Sequence, residues 1–129
     1  MSNGVPAEAE ALLTSEPLIA HFATSVEDRP HVAPVWYGYT ENTIEVLTTG
    51  RKLANIRANP RVALSVQKDR GGRAQWAVTI LGQATVIEDD EETEAAEARI
   101  NPKYGADPSA WPENVLVRID PGTVQYSTY

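Results

Sequence analysis

Apolar residues in this chain recur mainly at every second position, in short runs rich in β-branched and aromatic residues and punctuated by proline and glycine. Residues 18–25 form the first run, closed by the turn-forming Glu27, Asp28, Arg29 and Pro30. The second, 31–39, reads HVAPVWYGY. Pro34 in its middle cannot donate to a ladder, so this strand is expected at a sheet edge or with a bulge, leaving backbone groups for a planar ligand. Over 43–49, Ile44, Val46 and Thr48 alternate with Glu45, Leu47 and Thr49, the pattern of a strand with one buried face. Val62, Leu64 and Val66 repeat it over 61–67, followed by a polar loop, 68–73, containing Gly71 and Gly72. The longest β-pattern spans 74–87, with Gly82 as its bend. Two closing strands, 115–119 and 123–129, are expected across a turn at Asp120, Pro121 and Gly122.

Helical periodicity interrupts this pattern three times. Residues 6–16 place Ala9, Leu12 and Leu13 on one face behind Pro6, and Pro17 ends the segment. Residues 51–59 set Leu53 and Ile56 against Lys52, Asn55 and Asn59, with Pro60 as the stop. Residues 89–99 read as an exposed helix with a solvated acidic front, capped by Asp89 with Glu92 three positions on and carrying Arg99 at its end. A loop with three prolines follows over 101–113. The expected fold is mainly β: a barrel of six to seven mostly antiparallel strands with small α additions, in one domain covering residues 1–129.

Composition narrows the function classes. A net charge of -7 argues against nucleic-acid and membrane partners, which need a basic surface. Cysteine is absent, which removes disulfides, thiolate metal sites and cysteine nucleophiles together. The opening MSNGVPAEAEALL has neither a basic leader nor a long apolar run, so a soluble cytoplasmic protein is expected. No GxSxG, HExxH or GxGxxG motif is present, and His21 and His31 are isolated, so no metal site is expected. An enzyme with this inventory needs a cofactor to carry the reaction, and no catalytic side chain is assigned.

One stretch departs from that bland surface. In TTGRKLANIRANPRVALSV, Thr48, Thr49 and Gly50 sit where a strand must turn, and Arg51 and Lys52 open a helix whose first amides lack intrahelical partners. Free amides, the positive dipole end and two cations outline a phosphate site. Read without a ligand, the same two cations are solvated surface charge.

Taken in order, LIAHFATSVEDRPHVAPVWYGY, the TTGRKLANIRANPRVALSV stretch and WAVTILGQATVIED resemble the pyridoxamine 5'-phosphate oxidase-like, FMN-binding split-barrel superfamily over roughly residues 18–89. The resemblance implies a six-stranded split barrel, a homodimer, and FMN or the deazaflavin coenzyme F-420 held between subunits. Lys52 resembles the residue that grips the cofactor phosphate, with Thr48, Thr49 and Arg51 beside it. Val32, Ala33, Pro34, Val35 and Trp36 would lie along the ring, and Trp76 resembles a position that faces the site from the second subunit. The long C-terminal substrate-binding segment of the vitamin-forming oxidases has no counterpart, so another small substrate is expected. Two classes of function follow: a flavin- or deazaflavin-dependent oxidoreductase, and a non-enzymatic flavin or haem-type carrier or sensor on the same barrel.

Overall fold

The computed structural model describes residues 4–129. Residues 1–3, where the segment read as lacking a leader begins, lie outside them. Seven strands form one antiparallel sheet in the order β2-β1-β5-β6-β7-β4-β3. They are β1 (Ala20–Val26), β2 (Arg29–Val35), β3 (Tyr37–Thr40), β4 (Thr43–Thr48), β5 (Arg61–Arg70), β6 (Arg73–Ile87) and β7 (Val115–Thr128). The two outermost strands, β2 and β3, are consecutive in the chain with only Trp36 between them. One residue spans only a few ångströms, so the sheet must curl until its ends meet beside that tryptophan. The result is a barrel left open along one seam.

The run 31–39 therefore divides at Trp36, and not at Pro34. Pro34 stays in register opposite His21, which is tolerated because β2 is an edge strand and its other side pairs with nothing. The inward row of Phe22, Tyr37, Ile44, Leu64, Ile80 and Ile119 is almost wholly buried. Each such side chain contributes about 1.5–3 kcal/mol relative to exposure.

Helix α1 (Ala7–Leu13) buries Ala9 and Leu13 against the barrel, stopping short of the expected end at 16. The Ser15 amide and hydroxyl both donate to the Leu12 carbonyl, which a further turn would use, and the Thr14 hydroxyl adds to the Glu10 carbonyl. Helix α2 (Gly50–Ala58) joins β4 to β5. Helix α3 (Asp90–Ile100) starts where Asp89 accepts from the Glu92 amide, the cap read from sequence, and runs into a short 3-10 turn, Asn101–Tyr104.

Four expectations are corrected. The polar loop 68–73 is a tight hairpin in which only Gly71 (φ 57°) and Gly72 (φ 82°) turn, a left-handed pair that matches strand twist. The two closing strands are one continuous β7 paired along β6. The register passes from Leu81↔Thr123 to Gly82↔Pro121, so Gly122 is the extra residue of a bulge. A Cβ on Gly82 would lie 2.4 Å from the Asp120 carbonyl oxygen, which is why that bend needs glycine. The helix read as exposed covers a second small core of Ala96, Ile100 and Leu116. With α3 lying over it, β4 is buried on both faces, and Glu45, assigned to the polar side, is 2% exposed. Its carboxylate takes two bonds from Arg99 (2.8 and 2.9 Å) and one from Arg118 (3.3 Å). Among the described residues no helix is long and apolar enough to cross a membrane.

Candidate functional site

At the seam beside Trp36 the barrel carries a groove of about 370 Å³, within the usual range of small-molecule sites. One wall is the end of β4 and the start of α2. Thr48 is buried, Thr49 is extended (φ -152°, ψ -174°), and Gly50 at φ 70° swings the chain into the helix. No side chain caps α2. Its first amides therefore keep their donor capacity beside the groove. The far end is pinned: Asn55 donates to the Thr24 hydroxyl (3.0 Å), Asn59 to the Ser25 carbonyl (3.0 Å), and Ile56 is buried. These contacts hold the open N-terminus at the groove.

Lys52 is the one titratable side chain lining the groove. It is half-buried, and among the described residues no carboxylate or carbonyl accepts from it, although acidic groups outnumber basic ones 18 to 11. An ammonium partly withdrawn from water without a counter-ion is poised for an anion.

The other wall is aromatic, Trp36 packed by two rings from the chain after α3. The Trp36 ring stacks on Tyr104 with centroids 4.6 Å apart and planes 2° from parallel, and meets Trp111 edge-on at 5.1 Å. Tyr104 anchors the wall, its hydroxyl donating to the Leu18 carbonyl (2.6 Å) and accepting from the Tyr37 amide (3.3 Å). Burial pushes the Tyr104 hydroxyl up from its ordinary value, partly offset by its bond to the Tyr37 backbone. Lys103 donates to the Tyr37 carbonyl (3.2 Å) over the rings of Tyr37 and Tyr104, and burial pulls its ammonium down. Asn101, buried at the end of α3, donates to the Pro108 carbonyl (2.9 Å) and folds the following loop back so that Trp111 and Asn114 reach the groove.

Of the residues expected at a site, Pro34, Val35, Trp36, Thr48, Thr49 and Lys52 line this groove together. Arg51 is exposed and does not line it. Val32 projects from the outer face at 65% exposure, and Ala33 is also absent from the lining. Position along the strand and not its face makes the split: Pro34 and Val35 stand at the end of β2 that reaches the groove, and Val32 and Ala33 lie further back on the same two faces. Trp76 lies in the barrel core at 6% exposure, away from this groove. Ile19, Leu47, Ile100, Asn101, Trp111 and Asn114 were not anticipated. A large indole inside a proline-rich polar loop is the only sequence signal that could have marked Trp111. Neither histidine reaches the groove, and among the described residues no group of three His, Cys, Asp or Glu side chains is placed to hold a metal ion.

The donor set suits a ligand with an anionic end and a planar apolar end. Comparison with known proteins bears on the fold. A solved F-420 reductase superposes with a TM-score of 0.77 at 27% identity, over 94% of this chain and 98% of that one. An FAD-binding protein from Mesorhizobium loti gives 0.75 at 22% identity (98% and 95% covered). The heme storage protein HutZ from Vibrio cholerae gives 0.76 at 20% (95% and 93%). No curated protein matches. The family model described as pyridoxamine 5'-phosphate oxidase matches residues 6–127, nearly the whole chain, and the protein belongs to that family.

Proposed function

We propose that this protein binds a phosphorylated flavin-type cofactor, FMN or the deazaflavin coenzyme F-420, in the seam groove and acts as an oxidoreductase on a small substrate. The observation that carries this reading is the unpaired, half-buried Lys52 at the uncapped start of α2, facing an aromatic wall across one groove. The similarity to an F-420 reductase and to an FAD-binding protein supports a cofactor of this class. Lys52, Thr48 and Thr49 would hold the phosphate, and Trp36 with Trp111 would flank the ring. Bound there, the ring supplies hydride or electron transfer. The chain's part is positioning and exclusion of water, because the groove's lining offers no carboxylate or imidazole for acid–base work. The carrier reading with a haem-type ligand has the resemblance to HutZ in its favour, but no histidine lines the groove.

A homodimer belongs to this proposal. Val32 and Leu81 stand 65% and 53% exposed on the outer face, where Ala23, Pro30, Val62 and Ala63 line a shallow apolar hollow. A second copy would cover that face. Light scattering at micromolar concentration reads the assembly, and a monomer that still binds cofactor overturns that part. For the cofactor, the absorption spectrum of the purified protein and titrations with FMN and coenzyme F-420 decide. Saturable binding of either supports the proposal, a Soret band with neither cofactor bound supports the carrier, and no binding of any of the three overturns both.

A further inference from the structure

A second groove, of about 710 Å³, lies on the other side of the loop that carries Trp111, between that loop and α3. The two grooves share Asn114. Asp90, Glu94 and Glu97 occupy one face of α3 at helical spacing and line this second groove, with Pro108, Pro112 and Val115 as its apolar side. Like charges so spaced repel, and a helix normally points such a row at water. Here Glu97 is 8% exposed, and among the described residues it has no ion pair and no hydrogen bond. Its carboxylate nevertheless keeps an opening to the groove, since the sole sealed and unpartnered side-chain atom among the described residues is His31 Nδ1.

Glu97 is also on the wrong end of its helix. It lies in the last turn of α3, where the macrodipole disfavours negative charge, while Arg99 of the same turn is drawn away to Glu45. Burial, and then the charge of Glu94, push the Glu97 carboxyl up. Among the described residues no cationic side chain lines the groove; the neighbouring Glu88 is already paired with Arg57 at 2.6 Å. Burial of the Glu97 carboxylate beside the exposed Asp90 and Glu94 disfavours its charged form, and a cation from outside would relieve that. The carboxylates are spread along the helix, about 10 Å from Asp90 to Glu97 at 1.5 Å per residue, and among the described residues no three acids gather for one metal ion. An elongated organic cation with an apolar backbone matches both the spacing and the proline wall.

We propose that the α3 groove binds an aliphatic polyamine, its ammonium groups paired with Asp90, Glu94 and Glu97 and its methylene chain against Pro108 and Pro112. This site is independent of the flavin reading and stands or falls without it. The test is calorimetric titration of the full chain with spermidine at physiological ionic strength, alongside Glu97→Gln, Glu94→Gln and, as a control of equal charge change on the exposed side of the same helix, Glu91→Gln. The expected result is saturable one-to-one binding, weakened at least tenfold by Glu97→Gln and by Glu94→Gln and within twofold of the parent for Glu91→Gln. Glu97→Gln should also melt no lower than the parent, because it removes an unpaired buried charge, so lost binding is not lost folding. Spermidine should raise the melting temperature of the parent and not of Glu97→Gln. Equal weakening by all three variants, displacement by magnesium chloride at matched ionic strength, or no saturable binding would each reduce the attraction to the diffuse pull of an acidic chain and overturn the proposal.

Discussion

Glu45 and Lys52 lie seven positions apart, at opposite ends of one strand-to-helix passage, and the fold treats their charges in opposite ways. Glu45 is 2% exposed and takes bonds from two arginines, Arg99 on α3 and Arg118 on β7, the second of which also reaches Glu92 at 3.0 Å. Lys52 is less buried and has no partner among the described residues. The first charge is satisfied inside the chain and ties α3 to the sheet. The second is left for something the chain does not supply. In this protein, pairing separates a structural charge from a binding one better than burial does.

The strongest way to break the comparison is Glu45→Ala. Removing the shared acceptor leaves Arg99 and Arg118 crowded under α3, and loss of one partner of a buried pair costs about 3–5 kcal/mol. Both guanidinium side chains still reach water, at 47% and 35% exposure, so the low end is expected, about 3 kcal/mol or on the order of 10 °C in melting temperature. Thermal melts check it, and an unchanged melt would mean that the network is decoration.

Lys52→Ala should do the reverse. A hydrogen bond to a charged group is worth roughly 1.5–3 kcal/mol, so affinity for FMN should fall about ten- to a hundredfold while the melt of cofactor-free protein barely moves. Riboflavin, which has the ring without the phosphate, should bind mutant and parent alike. Equal FMN affinity would return Lys52 to solvated surface charge.

Trp36→Phe sharpens the other end of the groove. It gives up part of the stack on Tyr104 and the edge contact with Trp111, about 0.5–1.5 kcal/mol. The fluorescence quench on cofactor addition should shrink by more than half, with Trp111 carrying the remainder, and a full quench in the mutant would place the ring elsewhere.

The smallest effect is the loss of tyrosine anchors at alkaline pH, Tyr37 and Tyr104 at the aromatic wall and Tyr39 against Glu10 of α1. Burial, assisted by the bond to Glu10, pushes Tyr39 up to about 12, and burial raises Tyr37 and Tyr104 as well. The folded state then holds phenolic protons that the unfolded chain releases near pH 10. The stability they contribute is complete below pH 10 and is lost as pH rises toward 12. Melts at pH 9 and 11, with tyrosinate absorbance at 295 nm, read this directly. Ionisation of all five tyrosines near pH 10 in the folded protein would refute it.

Much of this was legible from local signals. The alternation of Val62, Leu64 and Val66 marks β5, Asp89 marks the start of α3, and Gly82 marks the bend of β6. The Thr48, Thr49 and Lys52 side of the groove was also legible, because a strand end, a helix start and a cation are neighbours in sequence. The aromatic wall was not, since Tyr104 and Trp111 come to Trp36 across more than sixty positions and only the fold of α3 brings them there. Trp76 shows the same limit from the other side: its place in a β-pattern does not say which face of the barrel it occupies, and the answer is the core.

By itself, then, the sequence determined most of the secondary elements, the mainly β class and the cationic helix start, because those depend on period, caps and turn residues within a few positions. Tertiary structure decided which charges are paired, that β7 passes through Pro121 and Gly122 without turning back, and that the exposed-looking α3 buries Glu45 beneath it. Those outcomes depend on what lies across the sheet. A β-strand carries its own alternation, but its two faces are told apart only by what packs on each.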